Sequence, residues 1–183
     1  MANLSFGLSN TKKEVITLIT PIMEKLRLRG TILVIAAGNG GIDTDIDANK
    51  SSDLFTYFIN FEFVHENRPY KMDNIVAVAA VDLTGKLAHF SNFGKETVML
   101  AAPGVGIHSC TSIPNNFECR DGTSFSAPQV SATLAMLMDI FPSDSYLQII
   151  ERLRQSVDRD GALESTTISG GCLNIGTSLR RSP

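Results

Sequence analysis

Continuous runs of apolar residues along the chain predict the strands of a buried parallel sheet. The segments TILVIAA and NIVAVAAV are apolar throughout, without the alternation that is typical of a strand with one exposed face. Shorter segments of similar character, separated by Gly and Pro, predict four more strands: ANLSF near the start of the chain, LAHFSNFG, TVMLAAPG and VGIHSC.

Three segments have the residue spacing of helices. Residues 11–30 have apolar positions three and four apart, although Pro21 is expected to kink this helix or divide it in two. Residues 123–141 are apolar nearly all round, which predicts a buried helix. Residues 145–157 are amphipathic, and they begin with the Ser-x-x-Gln signature of a capping box. The side chains of this last helix that are predicted to face the core are Leu147, Ile150, Leu153 and Val157.

The order of these strands and helices predicts an α/β fold with three layers, in which helices cover both faces of a mostly parallel sheet. A length of 183 residues and a hydrophobic fraction of 43% suit one domain with a sizeable core. The net charge of −3 gives no reason to expect a nucleic acid or an anionic membrane as a partner. No apolar run is long enough to span a bilayer, and the first ten residues lack the pattern of a signal peptide.

The stretch GTSFSAP, residues 122–128, places a serine where a nucleophile could act. Ser124 would lie in the first turn of the buried helix, so its backbone N–H would be an unpaired donor at the positive end of the helix dipole. An anion that forms beside Ser124 would be stabilised there, and Gly122 would allow a substrate to approach closely. Serine is common at helix starts, so this stretch alone is weak evidence for catalysis.

The stretch AAGNGG, residues 36–41, places an amide side chain at the end of a buried strand. Strand ends in parallel sheets line the ligand crevice, and Asn39 could donate an N–H to a developing oxyanion there. A glycine-rich turn is ordinary by itself. The combination of this stretch with the serine stretch is what points to acyl transfer.

In combination, these motifs resemble those of the subtilisin-like serine peptidases, or subtilases. VIAAGNGG resembles the oxyanion-asparagine motif of the family, and DGTSFSAPQVSATLAML resembles its serine motif, in the expected order. The segments NIVAVAAVDLTGKLAHFSNFG and VMLAAPGVGIHSC resemble the strands that join the two motifs, and GGCLNIGTSL resembles the closing segment. The resemblance makes residues 1–183 a partial subtilase catalytic domain, the C-terminal portion, with an insertion at about residues 42–66.

The resemblance implies a role for three groups of residues. Ser124 would be the nucleophile, and the side chain of Asn39 with the backbone N–H of Ser124 would form the oxyanion hole. The substrate would be a protein or peptide that pairs with the chain as an added β-strand. The substrate-binding residues implied are Ser5, Phe6 and Gly7 on one side, and Ala36, Ala37 and Gly38 as a wall of the pocket for the residue before the scissile bond. A cis bond between Arg68 and Pro69 is also implied.

A serine needs a histidine base, and that histidine needs an orienting carboxylate, before the serine can attack at neutral pH. In subtilases the aspartate and histidine motifs both precede the asparagine motif, but residues 1–38 contain neither Asp nor His. The three histidines of the chain are His65, His89 and His108. The resemblance gives none of them the role of base, and an ordinary structural role is favoured for each.

Neither the acidic residues nor the cysteines predict a metal site. Asp43, Asp45 and Asp47 alternate as in a calcium loop, but Ala48 replaces the turn glycine of such a loop and Leu54 its bidentate glutamate. A solvated loop is therefore favoured over calcium, and no cofactor is predicted. The cysteines lack C-x-x-C spacing, and both a disulfide and free thiols stay open for the pair at 110 and 119.

Three hypotheses account for a nucleophile without its base. In the first, the chain is the C-terminal part of a subtilase whose N-terminal segment carries the Asp and the His. In the second, another chain of an assembly supplies them. In the third, the chain is a non-catalytic, subtilase-like module that binds peptides or proteins. The first is favoured, and it predicts a serine endopeptidase domain that is inactive alone and whose sheet is incomplete on its N-terminal side.

Overall fold

The strands in the described part of the chain form one large sheet and two small antiparallel pairs. The computed structural model describes residues 1–5, 13–47, 58–59, 63–65 and 68–180. The strands are β1 Ala2–Leu4, β2 Leu33–Ala36, β3 Phe63–His65, β4 Arg68–Tyr70, β5 Ile75–Val81, β6 Leu100–Pro103, β7 Ile107–Cys110, β8 Phe117–Arg120, β9 Asp158–Arg159 and β10 Gly171–Cys172.

The large sheet has six strands in the order β1-β2-β5-β6-β10-β9. Every neighbouring pair from β1 to β10 is parallel, and only β9 runs antiparallel to its neighbour. The side chains of β2 and β5 are almost all buried, as their unbroken apolar sequences predict. The prediction of a mostly parallel α/β sheet is therefore confirmed. Among the described residues, β1 is an edge strand that pairs only with β2.

Helices pack on both faces of the sheet, so the predicted three layers are also confirmed. Residues of β2 and β5 alternate between the two faces: Val34 and Val78 pack towards one helical layer, while Ile35 and Ala77 pack with Met23 in the other. No helix in the described residues is both long and apolar enough to cross a membrane. The helices are α1 Lys13–Leu28, α2 Thr44–Asp47, α3 Thr123–Ile140, α4 Tyr146–Gln155 and α5 Ile175–Ser178.

Two helices differ in detail from their sequence predictions. Helix α1 is continuous through Pro21, so the division into two helices does not occur. Helix α4 begins with the predicted capping box between Ser145 and Gln148. Its inward side carries Ile149, whereas Leu147 is 47% exposed, so the prediction that Leu147 faces the core is wrong. The helix is rotated so that Ile149, Ile150 and Leu153 face the core, and this rotation turns Leu147 towards solvent.

Helix α3 is the central helix of one layer and contacts β1, β2, β5 and β6. Its core side carries Ala127, Val130, Leu134 and Leu137, all without exposed surface. The opposite side is open and includes Met136, which is 38% exposed. The prediction of a buried helix therefore holds for one side only. The exposed side looks apolar in the sequence because it carries small residues such as Ala132 and Ala135, which are exposed in the structure.

Replacing Leu134 by alanine is expected to lower the free energy of unfolding by about 2–5 kcal/mol, since the side chain is fully buried and its loss leaves a cavity. The matched control is Met136→Ala on the exposed side of the same helix, with an expected loss of about 0.5 kcal/mol. Urea unfolding followed by circular dichroism measures both. Similar losses for the two variants would contradict the packing described for α3.

The segment LAHFSNFG forms no regular strand, although its apolar positions predict one. Leu87 and Phe93 make only isolated bridges, to Val81 and Asp43 respectively. Between these bridges the chain turns, and its polar groups bond to the turn that follows β2, with Asn92 N–H donating to the Gly38 carbonyl at 2.9 Å. Long-range bonds to that turn replace the continuous ladder that a strand would need.

The hairpin of β7 and β8 carries two free thiols. The register places Cys110 opposite Phe117 and His108 opposite Cys119, so all four side chains share one exposed face. The rings of His108 and Phe117 stack at a centroid distance of 5.5 Å along the diagonal between the thiols. The structure therefore has free thiols rather than a disulfide. The third thiol, on β10, is half-buried, and this burial raises its pKa.

Most of the predicted insertion at about residues 42–66 lies outside the described residues. At its C-terminal end, β3 pairs antiparallel with β4, and Val64 is opposite Pro69. No peptide bond in the described part of the chain is cis, so the implied cis bond between Arg68 and Pro69 is wrong. A trans bond keeps β4 extended along its partner strand.

Candidate active site

Ser124 lies in the first turn of α3, two residues after Gly122, whose backbone conformation is one that residues with a side chain rarely adopt. Gly122 has φ +147° and donates its N–H to the Gly104 carbonyl at 2.8 Å, and the helix begins at the following residue. A Cβ atom on Gly122 would lie 3.1 Å from Ser124 Oγ and 3.6 Å from Asn39 Nδ2. The absence of a side chain here keeps open the space between the serine hydroxyl and the asparagine amide.

The start of α3 leaves one backbone donor free beside the serine. The N–H of Thr123 donates to Asn39 Oδ1 at 3.0 Å, and the N–H of Phe125 donates to the Gly122 carbonyl at 3.0 Å. Between them, the N–H of Ser124 has no partner in the described part of the chain. It lies at the positive end of a helix of 18 residues, where a negative charge is stabilised.

The amide of Asn39 is held in one orientation by its neighbour on α3. Its Oδ1 accepts from both the backbone N–H and the hydroxyl of Thr123, each at 3.0 Å. The same hydroxyl oxygen accepts from Gly38 N–H at 3.2 Å. Because both bonds use Oδ1, the Nδ2 group of Asn39 faces away from Thr123, and it has no partner among the described residues. Asn39 Nδ2 therefore borders the open space at Gly122 together with Ser124 Oγ, next to the helix turn that carries the N–H of Ser124.

The beginning of α3 is fixed to the end of β6 by polar contacts that the sequence did not predict. Ser126 Oγ donates to the carbonyls of Ala102 and Pro103, at 3.0 and 3.2 Å, and Gln129 donates to the Pro103 carbonyl at 2.8 Å. Gly104 leaves room for these contacts, since a Cβ there would lie 2.4 Å from Ser126 Oγ. The only sequence signal for this anchoring is a pair of polar residues three apart in an apolar helix.

The residues predicted to bind substrate lie along the same edge of the sheet, as far as they are described. Leu4 pairs with Ile35 at the carboxyl ends of β1 and β2, and Ser5 and Ala36 are the residues that follow them. Ala37 and Gly38 are buried where β2 ends, next to Asn39. Phe6 and Gly7 lie outside the described residues. The substrate-binding role of this group stays a prediction.

A small open cavity lies against the start of α3, on the side of the β7–β8 hairpin. Its volume is about 320 Å³. The cavity adjoins the residue after Ser124, because Phe125 forms part of its wall. The lining residues are Cys110, Thr111, Ser112, Arg120, Asp121 and Phe125.

No described histidine reaches Ser124. His89 is exposed and contacts the ring of Phe90 edge-on, with the centroids 5.3 Å apart. His108 is exposed on the hairpin and stacks on Phe117. Only the backbone of His65 is described. Within the described residues, no hydrogen bond joins Ser124 Oγ to any side chain that could act as a base.

The acidic residues after the glycine turn bond to the chain itself. The carboxylate of Asp45 accepts from Glu96 N–H at 3.0 Å and from the Thr97 hydroxyl at 2.5 Å, and Asp43 Oδ1 accepts from Asp45 N–H. Asp47 ends α2. The described part of the chain has no group of three or more His, Cys, Asp or Glu residues placed to hold a metal ion. The Asp45 carboxylate therefore ties the segment after the glycine turn to the segment before β6.

Comparison with known proteins gives a consistent result. The family model described as "Subtilase family" matches residues 1–170. Subtilisin DY of Bacillus licheniformis is 29% identical over 159 residues, which cover 87% of this chain and 50% of that protein. The A-subunit of the AB5 toxin from E. coli superposes with a TM-score of 0.74 at 23% identity, over 97% of this chain and 58% of that one. The prenylagaramide maturation protease PagA gives a TM-score of 0.69 at 23% identity, over 97% and 60%. This chain thus spans about half the length of the curated relative named here.

Proposed function

Because the chain belongs to the subtilase family, we propose that it supplies the nucleophile and the oxyanion hole of a serine endopeptidase that hydrolyses proteins or peptides. The observation that carries the proposal is the orientation of Asn39. Its Oδ1 is occupied by two donors from Thr123, at 3.0 Å each, so its Nδ2 group is left to donate beside Ser124. An asparagine with only a turn-forming role would have no need of this arrangement.

The reaction would pass through an acyl-enzyme. Ser124 Oγ attacks the carbonyl carbon of the scissile peptide bond while its proton passes to a histidine base. The carbonyl oxygen becomes negative and accepts hydrogen bonds from Asn39 Nδ2 and the N–H of Ser124. The tetrahedral intermediate collapses, and the amine product leaves with the proton from the histidine. Water then attacks the ester on Ser124, and the same groups assist the release of the acid product.

The substrate would lie along the edge of the sheet next to Asn39. An extended peptide would pair with the chain that follows β1, beside Ser5, Phe6 and Gly7. The side chain before the scissile bond would lie against Ala36, Ala37 and Gly38. This wall contains two small apolar side chains and no charged group. A broad preference for apolar residues at that position is the specificity that fits it.

The histidine and aspartate of the triad would come from a part of the protein other than these residues. Residues 1–38 contain neither type, and the two histidines whose side chains are described do not contact Ser124. The outer edge of β1 is a suitable place for such a part, because an unpaired edge strand readily accepts another strand. An N-terminal segment of the same protein is the favoured source, and another chain is the alternative.

Labelling with a fluorophosphonate, which reacts with activated serines, tests the proposal. The full-length protein is expected to be labelled on the peptide that contains Ser124, as mapped by mass spectrometry. The 183-residue chain alone is expected to react at least about 100-fold more slowly, because it lacks a base for the serine. Fast labelling of the isolated chain that is lost in Ser124→Ala would contradict an external base.

A non-catalytic binding module is the second candidate. It is favoured by one observation, that Ser124 Oγ has no base among the described residues. This candidate predicts that the full-length protein binds peptides in the micromolar range without any labelling of Ser124. A protein that is labelled and also hydrolyses the peptide excludes it.

A further inference from the structure

Asn92 lies directly against the glycine turn that carries Asn39, although 53 positions separate the two in sequence. We infer that Asn92 is a positioning residue, whose side chain holds the turn of residues 38–42 so that the amide of Asn39 faces Ser124. The catalytic consequence rests on the proposed function, while the structural one does not. Asn92 is 1% exposed and lies in the segment LAHFSNFG, for which the sequence predicted only a strand.

The side chain of Asn92 bonds to the turn on both sides of Asn39. Its Oδ1 accepts from the N–H groups of Gly40 and Ile42, at 2.9 and 3.0 Å. Its Nδ2 donates to the carbonyl of Ala37 at 2.8 Å. Three backbone groups that flank Asn39 thus end on one buried side chain. Gly40 and Ile42 lie beyond the end of β2, so these bonds lie outside the regular ladder between β2 and β5.

The segment that carries Asn92 is itself fixed to the sheet. The backbone N–H of Asn92 donates to the Gly38 carbonyl at 2.9 Å, and Gly41 N–H donates to the Phe90 carbonyl at 2.8 Å. Ser91 Oγ accepts from Ala80 N–H in β5 and donates to the Asn92 carbonyl, each at 2.9 Å. Strand β5 therefore fixes the position of Asn92 through Ser91, and Asn92 in turn fixes the position of the glycine turn.

A turn rich in glycine requires such support because glycine has the largest conformational freedom to lose. Gly38 and Gly41 have φ of +103° and +63°, in the region that favours glycine. Gly40 has little space, since a Cβ there would lie 3.3 Å from Asn92 Oδ1. Without the three bonds, the turn would sample other conformations, and Asn39 Nδ2 would spend less time beside Ser124. A displacement of about 1 Å at a catalytic group can reduce a rate by about 100-fold.

A double-mutant cycle with Asn39 separates positioning from general stabilisation. In the full-length protein, Asn92→Ala is expected to reduce kcat for a peptide ester by about 10- to 100-fold, with KM changed by less than about threefold. In the Asn39→Ala background, the same change is expected to reduce kcat by less than about threefold, because the group that Asn92 positions is already absent. Equal losses in both backgrounds would overturn the inference.

Asn74→Ala is the matched control. Asn74 is also a fully buried asparagine, and its Nδ2 donates to the Thr31 carbonyl at 2.8 Å, at the opposite end of β2 from Asn39. Its loss is expected to lower stability without lowering kcat per folded molecule. A kcat loss in this control as large as that of Asn92→Ala would show that any buried asparagine has the same effect. That result would also overturn the inference.

Amide hydrogen exchange tests the structural part without any activity. Asn92→Ala is expected to increase exchange at Gly40 and Ile42 at least tenfold, while exchange in β5 is unchanged. Unchanged exchange at both amides overturns the inference, whether or not the protein hydrolyses peptides. If the wild-type protein proves inactive, the proposed function fails, but the exchange result still decides whether Asn92 holds the turn. Should Asn92→Ala not fold, Asn92→Leu, which keeps the approximate size of the side chain but loses all three hydrogen bonds, replaces it with the same expected increase at these two amides.

Discussion

Replacing Ser124 by alanine is expected to reduce kcat for peptide hydrolysis by the full-length protein by about 10⁶-fold, the loss that removal of the nucleophile causes in a subtilisin. The reason is that the neighbouring hydroxyl of Thr123 is held by its bond to Asn39 Oδ1 at 3.0 Å, which leaves Ser124 Oγ as the hydroxyl that can attack beside Asn39 Nδ2 and the N–H of Ser124. The residual rate would come from the oxyanion hole and substrate binding, which can still accelerate water attack by about 10³–10⁴-fold over the uncatalysed reaction. Steady-state kinetics on a fluorogenic peptide measures the loss.

The control for this prediction is Ser156→Ala. Ser156 is a buried serine at the end of α4, and its hydroxyl bonds to the Leu153 carbonyl and to Ser178. It is far from Ser124 in the chain and has no bond to the candidate site, so kcat is expected to stay within about twofold of wild type. Retention of more than a hundredth of the wild-type kcat by Ser124→Ala would show that another residue is the nucleophile.

Replacing Asn39 by alanine is expected to reduce kcat on the order of 10²–10³-fold with little change in KM, as found when a subtilisin loses its oxyanion-hole asparagine. The small effect on KM is expected because Nδ2 stabilises charge that forms only in the transition state. A loss confined to KM would mean that Asn39 binds the substrate without acting on the reaction.

Asn39→Asp distinguishes the two ends of the amide. An aspartate keeps an oxygen that can accept from Thr123, as Asn39 Oδ1 does at 3.0 Å, but it replaces Nδ2 with a second oxygen. That oxygen cannot donate to an oxyanion and would repel it. We therefore expect Asn39→Asp to lose at least as much kcat as Asn39→Ala. Recovery of activity in the aspartate variant would show that the bonds to Thr123, rather than donation by Nδ2, are what matters.

The sequence was informative about the fold where apolar residues ran without interruption. The buried strands β2 and β5 were evident from such runs, because full burial on both faces leaves little choice of residue type. The prediction of a strand was wrong for LAHFSNFG, because its apolar and its polar residues make contacts with different parts of the chain. Its apolar residues pack, but its polar residues bond to a turn about 50 positions earlier in the chain, which local periodicity cannot reveal.

The candidate site was predictable in part for the same reason. Ser124 and Asn39 each stand in a local motif, so the sequence could indicate them. Thr123 and Asn92 could not be assigned a role, because their bonds to the glycine turn join residues 84 and 52 positions apart, such as Asn39 with Thr123 and Gly40 with Asn92. Only the packing of α3 and β5 against β2 brings these partners together.

The packing of α3 also determines how the proposed nucleophile can move. Ser124 is attached to a helix that contacts β1, β2, β5 and β6 at once, so it does not belong to a loop that can open by itself. Elements that are buried in this way exchange with solvent only through the most costly openings of a protein. The serine would therefore keep its position through local fluctuations and lose it only when the whole sheet–helix unit melts. In such an arrangement, a substitution that lowers the stability of the core changes how many molecules are folded, and not where Ser124 lies in those that are.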